Sequence, residues 1–281
     1  MSVNRFQNNV RRFASILMLL VLVFLTTLPI FWCVITSLKT PQDISSYPPK
    51  IFNFSVTWDN YRQVFAQSFL KSVRNSILYS FLTIVGCLVL GYLAAYGFER
   101  RLFPLKKTLF YIVVIGIPLS TGSSVLLIPN YLTMMKMQLT NRFYTLPLLY
   151  TAYNLPLVIW MLISGVRGLP SEIEEAARID GCSQFYIVTR LIPPIIKPSF
   201  AAAALFAFIG AWNEFITATV MVNGYELKNI QMAIYDYIGF FGQEWGPLCG
   251  SATLAVIPIL IVFTFLGRQL VSGLTAGAVK G

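Results

Sequence analysis

The chain has 281 residues, 56% apolar and only 11% charged, with 22 Phe, 14 Tyr and 5 Trp. At a mean hydropathy of +0.69 it supplies several runs of about 20 apolar residues, the length a bilayer-crossing helix needs, and so reads as a polytopic membrane protein. Its net charge of +10 does not imply nucleic acid, because Lys and Arg are scattered in short loops as the positive-inside bias leaves them, and the absence of His leaves little for metal or acid–base chemistry.

From the start, MSVNRFQNNVRRF is basic and leads into an uncharged run, Phe13 to Thr36. This run is longer than a secretory signal's apolar core and no small-residue cleavage site follows it, so it is expected to stay as the first span. Later apolar runs predict spans at about 75–98, 108–129, 143–164, 199–222 and 249–267, an all-α fold of six transmembrane helices forming one membrane domain over 1–281. Between the first two, Ser37 to Arg74 carries Pro48-Pro49 and aromatic residues that predict an ordered surface segment rather than a linker. Six spans put both termini on one side. Arg5, Arg11 and Arg12, with Arg100, Arg101, Lys106 and Lys107 after span two, assign that side to the cytoplasm. Pro118, Pro147 and Pro156 fall inside spans three and four; such breaks are tolerated against protein or a water-filled cavity and point to a translocation path, while each alone is equally a kink. Cys33, Cys87, Cys182 and Cys249 lack metal-ligand spacing and are expected as free thiols.

Ser171 to Pro198, SEIEEAARIDGCSQFYIVTRLIPPIIKP, is a charged island with Glu172, Glu174, Glu175, Arg178, Asp180, Arg190 and Lys197, and it must sit in water. Ser171 is a candidate helix cap with Glu174 as its capping-box partner, acids fill the first turn, and Gly181 supplies the stop. A helix of about nine residues is too short to be stable alone, so it needs a partner surface. Ile173, Ala176, Ala177 and Asp180 share one narrow face whose alanines permit close approach, which reads as a docking element.

Glu175-Ala176-Ala177, then Gly181 after Asp180, then Pro194 thirteen residues on, resembles the EAA loop of importer permeases of the ATP-binding-cassette class. It is most similar to the second permease subunit of maltose-type carbohydrate importers. Pro193 stands where that pattern usually has Leu, which leaves open how the second short helix ends. The resemblance covers roughly residues 75–281. It implies coupling to an ATPase through Glu174, Glu175, Ala176, Ala177, Asp180, Gly181 and Pro194. It also implies a homologous second permease, an ATPase dimer and an extracytoplasmic solute-binding protein as partners, and a carbohydrate as cargo.

In span five, Trp212-Asn213-Glu214 holds the one formal charge well inside an apolar run, about 12 Å from the outer end at helical rise. A carboxylate against lipid costs about 2.5–3.5 kcal/mol even on the lenient insertion scale. Two readings stand equally: a place on the translocation path, or a buried pair or protonated Glu that holds two subunits together. The loop from Asn223 to Leu248 carries Tyr225, Tyr235, Tyr237, Phe240, Phe241 and Trp245. Aromatics there stack on sugar rings or simply gather at the membrane interface, and the resemblance implies contact of this loop with the binding protein. In the tail, Gly273, Gly277 and Gly281 argue against a continuing helix. The ending GLTAGAVKG resembles the family's tail, which implies that Gly273, Gly277 and Lys280 reach the ATPase.

No GxxxxGK[ST] phosphate-binding loop occurs, and no nucleophile, metal cluster or acid pair supports catalysis. The chain is therefore expected to be a non-enzymatic subunit with no cofactor of its own, ATP and Mg belonging to the partner ATPase. The rival readings are a self-sufficient secondary transporter or channel in which Glu214 carries a coupling ion, and a membrane scaffold.

Overall fold

The computed structural model describes residues 2–121, 123–239 and 242–278, with side chains except at 2–10, 119–121, 123–125 and 268–278. In chain order the helices are α1 (Ser2–Ser37), α2 (Pro41–Ile44), α3 (Asp59–Ala66), α4 (Phe69–Arg100), α5 (Lys106–Thr121), α6 (Ser123–Lys136), α7 (Thr145–Arg167), α8 (Ser171–Ile179) and α9 (Gln184–Tyr186). A π-helical turn (Ile187–Leu191) then precedes α10 (Ile192–Ile195), α11 (Lys197–Trp212), α12 (Ile216–Met221) and α13 (Ile230–Tyr235). A two-stranded hairpin, β1 (Ile238–Gly239) and β2 (Gly242–Gln243), leads to α14 (Trp245–Ala278). The fold is all-α and polytopic. Arg11–Ser37, Phe69–Arg100, Thr145–Arg167 and Trp245–Gly267 are each long and apolar enough to cross a membrane.

Of the other two predicted spans, the third includes a residue, 122, that lies outside the described ones, and the fifth is interrupted. Within span three the described helices are α5 and α6, on either side of residue 122. Span five, expected as one helix over 199–222, ends at Trp212 and resumes at Ile216. Before it, α9 to α10 meets α11 at an 80° bend. Pro193 and Pro194 lack the N–H groups an α-helix would donate to Thr189 and Arg190, and the preceding turn widens so that Ile192 N donates to Ile187 O. The helical run thus passes through the double proline and ends at Ile195, at the bend. Pro147 is corrected as a kink: it lies in the first turn of α7, where its missing N–H has no intrahelical partner to lose.

The chain forms two compact units, one of residues up to Phe69 with Ile234–Val256, the other of Leu70–Ala233 with the residues from Ile257 on. In the first, the segment after α1 is ordered, as its prolines and aromatics predict. Asn60 Nδ2 donates to the carbonyls of Ser37 and Lys39 at 2.9 Å each. Asp43 accepts from Lys50 Nζ at 2.6 Å, Ser55 N at 2.9 Å and Thr40 Oγ1 at 3.1 Å. These bonds, the Lys50 ammonium first, hold the Asp43 carboxyl down at about 2.

In the second unit α7 is the central helix, packed by α5 and α11. Glycines let the spans approach: a Cβ on Gly91 of α4 would lie 2.7 Å from Val158 Cγ1 of α7, and one on Gly210 of α11 would collide with the Asn154 amide. Two apolar clusters result. One joins Tyr92, Tyr96, Val158, Leu162, Val166, Ile187 and Ala203 near the charged loop. The other joins Tyr79, Tyr150, Tyr153, Ala211, Met221 and Met232 beside the break in span five.

Candidate functional site

The charged island folds as predicted into a short helix, α8, with an acidic first turn, Glu172 and Glu174. Its ends are built differently from each other. At the start, Pro170 occupies the cap position and no side chain caps the helix, so the expected Ser171–Glu174 capping box is not made. Glu174 instead turns inward and is 2% exposed. Its carboxylate accepts from Tyr96 Oη at 2.9 Å and Arg100 Nε at 2.6 Å, with Arg178 Nη2 at 3.8 Å. Charge-assisted bonds to a guanidinium exceed what a backbone N–H offers a first-turn Glu.

At the far end the predicted glycine stop is present. Gly181 has φ +81°, its N–H donates to Arg178 O at 3.1 Å, and Cys182 N donates to Ala177 O at 2.9 Å. This is a Schellman closure, completed by Ala177 and Cys182 in the same apolar cluster. Ser183 then caps α9, accepting from Tyr186 N at 3.2 Å.

The face of α8 also needs correction. Ala177 is buried, and Ile173 packs inward with it against the chain's own core, so these two and Glu174 do not line an outward docking face. Of the expected coupling residues on this segment, Glu175, Ala176, Asp180 and Gly181 are exposed, joined by Ile179 at 87%, Phe185 at 78% and Tyr186 at 50% exposure. Pro194 is exposed on α10. Sequence reasoning missed Ile179, Phe185 and Tyr186. Large apolar residues within a charged, water-facing loop were the available signal.

The second predicted site is the interruption of span five. Trp212 closes α11, fully buried and stacked on Phe208 at 5.3 Å between ring centroids. Its carbonyl accepts from Gln231 Nε2 at 3.2 Å, and that of Glu214 accepts from Asn229 Nδ2 at 2.6 Å. Glu214 Oε1 accepts from Thr217 N at 2.6 Å, which places a carboxylate at the N-terminal end of α12, where free N–H groups favour it. Asn213 is exposed and Glu214 half-buried. Two carbonyls and one N–H at the break are thus met by Gln231, Asn229 and the Glu214 side chain, the kind of satisfaction that irregular backbone within a span requires.

Of the loop tyrosines, Tyr225 is 70% exposed, with Lys228 Nζ 4.5 Å from its ring centroid, and Tyr235 is 51% exposed. Tyr237 is buried at 3%, its hydroxyl pushed up to about 12 by that burial. As described it presents no surface to a binding protein, which corrects its expected role. In the tail, α14 continues through Gly273 and Gly277 to Ala278, against the expectation that these glycines stop it. Adding one residue to an existing helix avoids the nucleation cost, and each glycine subtracts only about 1 kcal/mol. Lys280, Phe240 and Phe241 lie outside the described residues.

These features define a multi-pass helical membrane protein with a short loop helix between spans that leaves large apolar residues exposed, and a helix interrupted at Asn213–Phe215. Residues 87–275 match the family described as the binding-protein-dependent transport system inner membrane component, and the chain belongs to that family. It is 31% identical over 254 residues to the diacetylchitobiose uptake system permease protein DasC of Streptomyces coelicolor, covering 90% of this chain and 91% of the relative. It is 30% identical over 273 residues to the trehalose/maltose transport system permease protein MalG of Thermococcus litoralis, covering 95% of each. Its fold matches a chain of a bacterial ABC transporter involved in import of the acidic polysaccharide alginate with TM-score 0.77 at 18% identity, over 93% of this chain and 97% of that one.

Proposed function

We propose that this chain is one of two permease subunits of an ATP-driven bacterial carbohydrate importer. It works with a homologous permease, a pair of ATPase subunits carrying ATP and Mg, and an extracytoplasmic binding protein. The observation that carries this reading is α8. It is a nine-residue helix anchored inward by Glu174 and Ala177, with Ala176 and Ile179 turned outward and Phe185 exposed on α9 just after it, a surface that needs a protein groove to cover it. The relatives' names, permeases for diacetylchitobiose and trehalose/maltose, support a sugar as cargo. The basic N-terminus and the loop after α4 support a cytoplasmic position for α8 within reach of an ATPase, in a six-span topology with cytoplasmic termini. ATP-driven closure of the ATPases then moves α8 and switches the spans from inward-open to outward-open. Asn213 and Glu214 border the translocation path or the second permease, whereas Trp212, buried within the chain, supports them from behind and does not itself meet either; Tyr225 and Tyr235 are offered to the binding protein, and the residues around Gly273, Gly277 and Lys280 to the ATPase.

A secondary transporter remains the second reading, favoured by the discontinuous helix at Glu214, since such breaks coordinate ions in that class. The Glu214 carboxylate is already engaged as a cap, however. Co-purification from native membranes decides between them: the account expects the tagged chain to bring a second permease, an ATPase and a sugar-loaded binding protein. Ion-coupled uptake by the chain expressed alone would overturn it.

A further inference from the structure

One face of the last turns of α4 carries Tyr92, Tyr96 and Arg100 at four-residue spacing, so their side chains stack one above another. Each grips the charged loop. Tyr92 Oη donates to Val188 O at 2.7 Å. Tyr96 Oη donates to Glu174 Oε2 at 2.9 Å and accepts from Gln184 Nε2 at 2.7 Å. Arg100 reaches furthest: Nε donates to Glu174 Oε1 at 2.6 Å, and Nη2 to the carbonyls of Val166 at 3.1 Å and Leu169 at 2.6 Å. One guanidinium therefore joins the ends of α4 and α7 to the start of α8. Its side chain is 16% exposed and that of Glu174 3%, so the pair is held away from water, where breaking it leaves an uncompensated charge.

Resting on the reading of α8 as a coupling helix, we propose that Tyr96, Arg100 and Glu174 form a rigid joint that makes α8 and α4 move as one body, with Glu174 as its positioning residue. A helix that merely touched the bundle through Ile173 and Ala177 would slide under load, because apolar contact is not directional. The charge-assisted bond from Arg100 to Glu174, seconded by that from Tyr96, is directional, so displacement of α8 is carried along the length of α4.

Pulsed electron paramagnetic resonance on the full chain tests this, with spin labels on cysteines replacing Leu82 of α4 and the exposed Ser171 of α8 in a background where Cys33, Cys87, Cys182 and Cys249 are serine. Leu82 lies about 27 Å of helix from Arg100. In the complex with its ATPases, the expected result is one narrow label distance, equal in the nucleotide-free and ATP-vanadate states. Glu174→Ala is expected to broaden it and to lower the stimulation of ATP hydrolysis by the binding protein at least tenfold. Tyr96→Phe, which removes two hydrogen bonds and no charge, is expected to broaden it less and serves if Glu174→Ala does not insert. A label distance that differs between nucleotide states, variants that keep it narrow, or broadening with unchanged stimulation would each overturn the joint. Failure of the unmutated chain to bind any ATPase would instead overturn the permease reading, and the label distance in the chain alone would still decide whether the joint exists.

Discussion

Replacing Gly181 isolates a conformational demand from a steric one. Its φ is +81°, and nothing lies within 4 Å of where a Cβ would stand, so any effect comes from the backbone and not from collision. The left-handed region costs an L-residue about 1–2 kcal/mol, more for a β-branched one, while Asn tolerates it best after Gly. If the stop opens, the bonds from Gly181 N to Arg178 O and from Cys182 N to Ala177 O are lost as well, each worth about 1 kcal/mol. A helix of nine residues has no reserve against such losses. The expected order of function is Gly, Asn, Ala, Val, with Ala lowering the population of the native stop by roughly 5-fold and Val by 30-fold or more. Stimulated ATP hydrolysis in the reconstituted complex, and amide exchange across residues 171–182, should follow that order. Equal activity in Val and Gly, or Asn as damaging as Val, would refute the conformational argument.

The other outcomes follow from the same geometry. Ala176→Leu should leave the permease's thermal unfolding in detergent unchanged and weaken ATPase co-purification, whereas Ala177→Leu should destabilise the permease itself by about 1–3 kcal/mol, because its methyl faces the core. Glu214→Gln, which keeps an acceptor for Thr217 N, should match wild-type stability, while Glu214→Ala should lose about 0.5–2 kcal/mol as a deleted cap does; equal stability of the two would remove the capping role. Asp43 has a depressed folded pKa, so the order it lends to its loop is full above the usual carboxylate value near 3.9 and disappears as pH falls through about 2. Proteolysis of residues 38–68 should accelerate between pH 4 and 2, and in Asp43→Asn it should be fast already at pH 7. Cysteines at Ser183 and Tyr225 should be labelled from opposite sides of the membrane, and labelling of both from outside would end the six-span topology.

The legible features were those set by local chemistry. The acidic first turn, the glycine stop and the need for water around the charged loop follow from residues within a few positions of one another, and α8 has them. Which side of α8 faces inward depends on what approaches from elsewhere, here Tyr96 and Arg100, 78 and 74 positions away. Their four-residue spacing at the end of an apolar span was visible, but its partner was not. The interruption at Asn213–Phe215 was similarly hidden by the apolar run around it, although Glu214 three residues before Thr217 is the spacing of a helix cap. Tyr237 shows the converse error: an aromatic in a loop reads as surface until packing buries it.

The central claim is that the outward side of the α8–α9 segment seats in an ATPase. A photoreactive phenylalanine analogue replacing Phe185, 78% exposed beside α8, tests it in intact cells, with the same analogue replacing Trp58, 62% exposed, as the control. The account predicts that illumination joins the Phe185 position to a nucleotide-binding ATPase subunit, identified by mass spectrometry of the adduct, and that the Trp58 position gives no such product. An ATPase adduct absent at Phe185, or equally abundant at Trp58, would contradict it.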